Sequence, residues 1–325
     1  MFISTIILGT IISISSYSWI GIWIGLEVNL LSIIPLIVKI NSYSTEASIK
    51  YFITQALAST FILLAIILLS LNESVIFYNK TYFIIINSAL LTKIGAAPFH
   101  FWFPEVIEGL RWTNSFIILT WQKIAPIILL IYNFTLNTFI VIIVILRILV
   151  RGVIGLNQIS LRKILTFSSI NHIGWIIPAI FLSLYIWLVY FLIYSLITLN
   201  LIILFYYLNS FYLRQITLNL NSNFLLKLFF IMNLFSLGGL PPFLGFYPKW
   251  LVINSLINEN FYILTFLIIL LTLITLFYYI RLSYHSLTLR VNSNFKILIL
   301  NRKFILLINF FSLIILPILI LTRSF

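Results

Sequence analysis

The sequence predicts an all-α, polytopic membrane protein of about eleven transmembrane helices, organised as one domain over residues 1–325. Three observations carry that prediction. The 325 residues are 62% hydrophobic and 8% charged, with mean hydropathy +1.19, a combination foreign to water-soluble globular chains. Apolar runs long enough to cross a bilayer follow one another with short polar joints between them. The basic residues outnumber the acidic by 19 to 6 and gather in alternate joints, as they do in loops on the positive-inside face of a membrane.

The spans are read at about 2–18, 19–40, 48–71, 82–103, 114–133, 136–150, 160–181, 183–208, 224–257, 260–284 and 303–322. The first two are joined only by Tyr17, Ser18 and Trp19, whose rings suit the membrane–water interface. In the second, Glu27 interrupts an otherwise uncharged run from Trp19 to Leu31, at a depth of about 12 Å by helical rise. Gly21 and Gly25, one helical turn apart beside it, permit close helix packing. The third and sixth rest on hydropathy alone.

The fourth span holds Lys93 eleven residues beyond Tyr82, about 16 Å into a hydrocarbon layer ~30 Å thick. Pro98 follows, lacks an amide hydrogen and frees backbone groups close to the lysine. Lys123 in the fifth repeats the device, with Pro126 just after it. The seventh carries His172 within Ser168-Ser-Ile-Asn171-His172-Ile-Gly174-Trp175. The ninth would reach about 50 Å as one helix, so a break is predicted at Gly238-Gly-Leu-Pro241-Pro242, with Lys249 beyond it. Two discontinuous helices are therefore expected, near Pro98 and near Pro241/Pro242. The eighth, tenth and eleventh spans hold no deep charge and read as packing and lipid-facing material.

Alternation of sides places Lys39, Lys50, Arg111, Arg147, Arg151, Arg162, Lys163, Arg214, Lys227, Arg281, Arg290, Lys296, Arg302 and Lys303 on one face. Lys80 and Arg323 fall on the other, and Lys93, Lys123 and Lys249 stay inside spans. The N-terminus then lies on the positive, inner side and the C-terminus outside. Topology thus accounts for the net charge of +13, and no nucleic-acid partner is expected. Inner-side arginines near span ends suit anionic phospholipid headgroups such as cardiolipin. The apolar start, without a basic leader, predicts no removable targeting peptide.

Glu27, Lys93, Lys123, His172 and Lys249 are the candidate functional residues. A lone lysine at mid-membrane costs roughly 2.5–3.5 kcal/mol on insertion scales, so each is expected to face protein or water rather than lipid. A carboxylate and an ammonium inside a bundle stabilise each other's charged forms while desolvation favours the neutral ones, the balance that proton exchange needs. Broken backbone at membrane depth is tolerated where it lines a wet cavity, so mid-span lysines beside prolines fit an ion path. Plainer readings stand beside these: Lys93 snorkelling to the interface, Glu27 held in a static ion pair, His172 a hydrogen-bonder between helices rather than a proton relay. His100 and Glu105, after Pro98 and nearer the inner surface, read as groups at a solvated helix end, with an entry route as the alternative, and His285 reads as interfacial.

The absence of cysteine excludes disulfides, thiolate zinc sites and cysteine-ligated iron–sulfur clusters from this chain. No glycine-rich dinucleotide or phosphate fingerprint occurs. The chain is therefore expected to hold no cofactor and no metal by these means.

Several segments together resemble a known family. They are Trp23-Ile-Gly-Leu-Glu27-Val-Asn-Leu-Leu, Ser44-Thr-Glu46-Ala-Ser-Ile-Lys50-Tyr-Phe, Gly95-Ala-Ala-Pro98-Phe-His-Phe-Trp-Phe-Pro-Glu105, Thr120-Trp-Gln-Lys123-Ile-Ala-Pro126, Gly155-Leu-Asn-Gln-Ile-Ser-Leu-Arg162-Lys-Ile-Leu and Gly238-Gly-Leu-Pro-Pro-Phe-Leu-Gly-Phe-Tyr-Pro-Lys249-Trp. In combination they resemble the chain 2 family of mitochondrial NADH:ubiquinone oxidoreductase, respiratory complex I, in its arthropod form. The resemblance covers about residues 17–175 and 233–255, and elsewhere it rests on hydropathy.

The resemblance implies an antiporter-like transmembrane domain in the membrane arm of that complex. The chain would lie in the mitochondrial inner membrane, N-terminus to the matrix and C-terminus to the intermembrane space. It also implies that Glu27, the broken-helix Lys93, the bridging Lys123 and the distal broken-helix Lys249 form a charged chain along the membrane midplane, with His172 on the same axis. Proton translocation would be coupled to quinone reduction elsewhere. NADH, FMN, iron–sulfur clusters and ubiquinone would belong to partner subunits, and the partners would be other membrane-arm and accessory subunits.

Two features depart from the pattern. The three extra N-terminal helices of bacterial members are absent, which leaves one flank to neighbouring subunits. Only two methionines occur where animal mitochondrial members are rich in them, a difference accounted for if one codon is read as isoleucine and one that leaves the charges untouched. Two other functional readings are kept: a stand-alone or Mrp-type cation/proton antiporter, and a structural subunit with no proton path of its own.

Overall fold

The computed structural model describes residues 1–38, 42–71, 76–133, 138–221 and 224–288. The eleventh predicted span, 303–322, lies outside them. Among the described residues the structure is helical, and one isolated antiparallel bridge joins Ser160 to Tyr212. Within the described residues six helical stretches are long and apolar enough to cross a membrane, and three shorter apolar helices accompany them. The chain divides between Leu136 and Asn137 into two compact units.

The first unit holds α1 (Phe2–Ser15), α2 (Trp19–Ile37), α3 (Ser42–Leu71), α4 (Ile76–Ile94), α5 (Trp102–Gly109), α6 (Trp112–Leu119) and α7 (Trp121–Tyr132). Ser18 starts α2, its hydroxyl accepting from the Gly21 amide at 3.2 Å. Helices α1 and α2 then pack almost backbone to backbone. A side chain at Gly25 would meet the Ser13 amide at 2.5 Å, and one at Gly9 the Asn29 amide at 2.9 Å. The close approach therefore pairs Gly25 with α1. Gly21, its expected companion, lies against Ser16 and Ser18 in the turn before its own helix.

Helix α3 carries a stripe of buried polar residues, Ser44, Ser48, Tyr51, Gln55 and Ser59, at helical spacing on an otherwise apolar span. It packs on α2, α4 and α5. The fifth predicted span is interrupted at Thr120, between α6 and α7, where the Lys123 amide donates to the Thr120 carbonyl at 3.2 Å in a tightened turn.

The second unit holds α8 (Thr138–Ile154), a 3-10 turn (Gly155–Asn157), α9 (Leu161–Leu182), α10 (Leu184–Tyr207), α11 (Leu213–Asn221), α12 (Phe224–Gly238), α13 (Phe246–Asn258) and α14 (Tyr262–Thr288). Helix α9 is its centre, 94% buried along its span, with α8, α10 and α13 against it. A helix covered on all sides needs no amphipathic stripe, and α9 has apolar and polar residues all round. Two joints sorted to the inner face meet at the Ser160–Tyr212 bridge, where Arg162 lies 4.8 Å from the Phe211 ring centroid.

Helix α11 was not among the predicted elements. Its apolar positions Leu213, Ile216 and Leu220 follow helical spacing, with Ile216 and Leu220 buried and Arg214 and Gln215 exposed. A second difference concerns Arg147, which the charge sorting put on the inner face. Arg147 lies inside α8 and is fully buried, where a charge at a solvated span end was expected. All three of its guanidinium nitrogens lack a hydrogen-bond partner among the described residues. Nothing in the structure explains that choice.

Candidate functional site

The helical backbone stops after Ile94 in a glycine turn. Gly95 takes φ +74°, its amide donates to the Thr92 carbonyl at 3.0 Å, and the Ala96 amide donates to the Leu91 carbonyl at 3.0 Å. This is the paired closure of a Schellman motif, which needs a left-handed residue at that position. A Cβ on Gly95 would lie 3.0 Å from the Phe103 ring. The chain then passes through a cis Ala97–Pro98 bond and resumes as α5 at Trp102.

Lys93 therefore sits in the last turn of α4, where carbonyls lack helical partners and the helix dipole favours a cation. Its own carbonyl accepts from Gln55 Nε2 at 3.3 Å. The residue is 7% exposed, and its ammonium makes no hydrogen bond or direct ion pair with the described residues. The charge that acts on it is the Glu27 carboxylate, half-buried on α2, which in turn accepts from the Ser59 hydroxyl on α3. Beside Lys93 lies a cavity of about 20 Å³, lined among others by Asn29, Tyr51, Gln55 and Gln122, with space for about one water molecule.

Lys123, in the first turn of α7, is 1% exposed. Its ammonium stands 5.2 Å from the centroid of Phe103, the same ring that covers Gly95. Glu27, Lys93 and Lys123 are thus all brought into the first unit, and Glu27 forms no direct ion pair among the described residues.

The second unit repeats the glycine turn. Gly239 takes φ +77°, its amide donates to the Ser236 carbonyl at 3.1 Å, and the Leu240 amide donates to the Phe235 carbonyl at 3.2 Å. After a cis Pro241–Pro242 bond the backbone resumes as α13 at Phe246. Lys249 reaches back from the first turn of α13 to the carbonyl end of α12, donating to Gly238 O at 2.7 Å and Leu237 O at 3.4 Å. It lies so close over Gly239 that a Cβ there would meet its Nζ at 2.7 Å. The same ammonium is 5.8 Å from the Trp175 ring centroid.

Trp175, which the Lys249 ammonium faces, lies three residues along α9 from His172, on the same side of that helix. His172 is buried, its Nδ1 2.9 Å from the Tyr190 hydroxyl of α10. The sequence reading treated that span as packing material and missed Tyr190.

The reading also missed Asn29, Gln55, Ser59 and Gln122, although the polar stripe of α3 is visible in the sequence at helical spacing. His100 is a correction. Expected at a solvated end, it is 4% exposed, with Nδ1 3.2 Å from the Pro98 carbonyl, because α5 packs on α3 and covers the turn. Glu105 is exposed as expected and meets Lys50 at 2.7 Å, and Lys50 also meets Glu46 at 2.8 Å. His285 is exposed in the last turn of α14.

Comparison with known proteins agrees with this architecture. Residues 16–275 match the family model of the NADH:quinone oxidoreductase/Mrp antiporter transmembrane region. The chain is 49% identical over 298 residues to NADH-ubiquinone oxidoreductase chain 2 of Anopheles gambiae, covering 90% of this chain and 87% of that one. To the chain 2 of Locusta migratoria it is 44% identical over 298 residues, covering 90% and 86%. Among solved structures, a chain of respiratory complex I from Thermus thermophilus superposes with TM-score 0.86 at 22% identity, over 97% of this chain and 76% of that one. A chain of the Mrp complex from Dietzia sp. gives TM-score 0.75 at 16% identity, over 86% and 59%. A glycine-turned helix end with a buried lysine in each unit, a matching family model and close insect relatives converge: the chain belongs to the NADH:quinone oxidoreductase/Mrp antiporter transmembrane family, among the chain 2 proteins of NADH-ubiquinone oxidoreductase.

Proposed function

We propose that this chain is a core membrane-arm subunit of a proton-translocating mitochondrial NADH:ubiquinone oxidoreductase, in which Glu27, Lys93, Lys123, His172 and Lys249 carry proton transfer and electrostatic coupling. The observation that carries the reading is the buried lysine set against the carbonyl end of a glycine-closed helix in each unit. The Lys249 ammonium is held by helix-end carbonyls and Lys93 sits in a last helical turn where the dipole favours a cation, yet both lie at membrane depth, where charge and neutrality are closely balanced. A change of charge at Glu27 alters the proton affinity of Lys93, and the disturbance passes on to Lys123. His172, hydrogen-bonded to Tyr190, serves as relay beside Lys249.

On this reading α4 with α5, and α12 with α13, are the halves of two discontinuous membrane helices in an eleven-span, single antiporter-like domain. The match of one family model across both units supports that. The chain is multi-pass in the mitochondrial inner membrane, N-terminus to the matrix and C-terminus to the intermembrane space. It is an enzyme component by membership, with no redox site of its own. NADH, FMN, iron–sulfur clusters and ubiquinone are held by the other membrane-arm and accessory subunits with which it assembles, and anionic phospholipids such as cardiolipin bind its inner face.

The likeness to the Mrp chain favours kinship with cation/proton antiporters. The insect relatives favour the complex I subunit over a stand-alone antiporter, and purification with many partners rather than few is the corresponding result. The decisive test is Lys93→Met in the assembled complex, with protons translocated per NADH oxidised as the readout. The expected result is normal assembly with lost or sharply reduced translocation. An unchanged ratio in a normally assembled complex would instead make the chain a scaffold.

A further inference from the structure

We propose that Asn29 and Gln122 act as a positioning pair for proton exchange at Lys93, a reciprocal amide clasp that fixes the Glu27 and Lys123 helices around the Lys93 cavity. The inference rests on the reading of Lys93 as a proton-exchanging group. Asn29 Nδ2 donates to Gln122 Oε1 at 3.0 Å, and Gln122 Nε2 donates to Asn29 Oδ1 at 3.0 Å. Both side chains line the cavity that Lys93 and Gln55 line, and Asn29 is buried there.

Their places in the chain give the clasp its reach. Asn29 stands two residues from Glu27 on α2, and Gln122 directly precedes Lys123 at the start of α7. One amide pair therefore ties the backbone that carries the carboxylate to the backbone that carries the second lysine, with Lys93 on the wall between. A displacement at either end of the tie moves a charged group relative to the cavity.

The chemistry suits positioning rather than proton uptake. A primary amide has two N–H donors and an oxygen with two acceptor sites, so the reciprocal pair leaves each amide one donor and one acceptor. Neither group ionises, so both can orient a water beside Lys93 without competing for its proton. Pro126, which also lines the cavity, has no N–H to donate to the Gln122 carbonyl four residues earlier.

The test uses the assembled complex in liposomes carrying Asn29→Leu, Gln122→Leu, Asn29→Gln, the exchanged pair Asn29→Gln with Gln122→Asn, and Lys93→Met. Assembly, protons translocated per NADH oxidised and the KM for ubiquinone are measured. The leucine variants are expected to assemble and to lose about tenfold or more in coupled proton flux, as for misplaced reacting groups, with KM unchanged. The exchanged pair keeps the summed side-chain length and is expected to recover most of the flux that Asn29→Gln alone loses. Leucine variants that assemble and translocate like the parent overturn the clasp, as does an exchanged pair no better than Asn29→Gln. If the leucine variants do not assemble, that last comparison decides. If Lys93→Met also translocates like the parent, the reading of Lys93 falls as well; if only Lys93→Met fails to translocate, the clasp alone is overturned.

Discussion

Residues 95–105 and 239–249 run the same course in the two units. Gly95 answers to Gly239, Pro98 to Pro242, Phe99 to Phe243, Pro104 to Pro248, and α5 starts at Trp102 where α13 starts at Phe246. The glycines take nearly the same φ, +74° and +77°, and close the preceding helix with the same two hydrogen bonds. At the last position the two segments part: Glu105 in one, Lys249 in the other. A glutamate in the first turn of α5 agrees with the positive end of a helix, remains exposed and pairs with Lys50. A lysine in the first turn of α13 opposes that end and is drawn back onto the carbonyls of α12. In the first unit the cation comes instead from the last turn of α4 itself, as Lys93. What the two units share is a buried lysine beside a glycine-closed helix end, reached by opposite routes, and not a lysine at one aligned position.

That difference is sharpest in a pair of lysine replacements. Lys249→Met removes a charged bond to the Gly238 carbonyl worth about 1.5–3 kcal/mol and a looser contact to Leu237 O, so it is expected to abolish coupled proton translocation and also lower the thermal stability of the complex. Lys93→Met removes a group that binds no described partner, so translocation is lost at unchanged stability. Thermal unfolding of the two purified complexes checks this, and equal stability would break the comparison.

The glycines come next. Alanine at either costs about 1–2 kcal/mol for the left-handed backbone. At Gly239 the new methyl also meets Lys249, whereas at Gly95 it meets the Phe103 ring. Gly239→Ala is therefore expected to reduce the proton-to-electron ratio more than Gly95→Ala, and an equal loss would assign both effects to the backbone. The smallest effect belongs to Glu105→Gln. Lys50 keeps Glu46, both groups are exposed, and such pairs contribute little, so translocation and assembly should match the parent chain.

The lysines stood out in the sequence because a charge in an apolar run is costly to bury, and the glycine–proline segments near Lys93 and Lys249 mark where a helix ends. The neutral partners were harder to see. Asn29, Gln55 and Gln122 are each unremarkable alone, and only their meeting across three helices gives them a role; Tyr190 was lost the same way. Arg147 was counted with the charges near a span end, and only the packing around α8 shows it to be buried. Thr120 interrupts the fifth span without proline or glycine at that point, so composition gave no warning.

The reach of Lys249 across its own break has a consequence for how the chain is observed. An ammonium that closes the end of α12 makes titration and local order a single linked equilibrium: whatever loosens the Gly238 carbonyl from its donor changes the cost of moving that proton, and the reverse holds with equal strength. Amide exchange at Gly239 and Leu240 thereby becomes a backbone record of a side chain's charge.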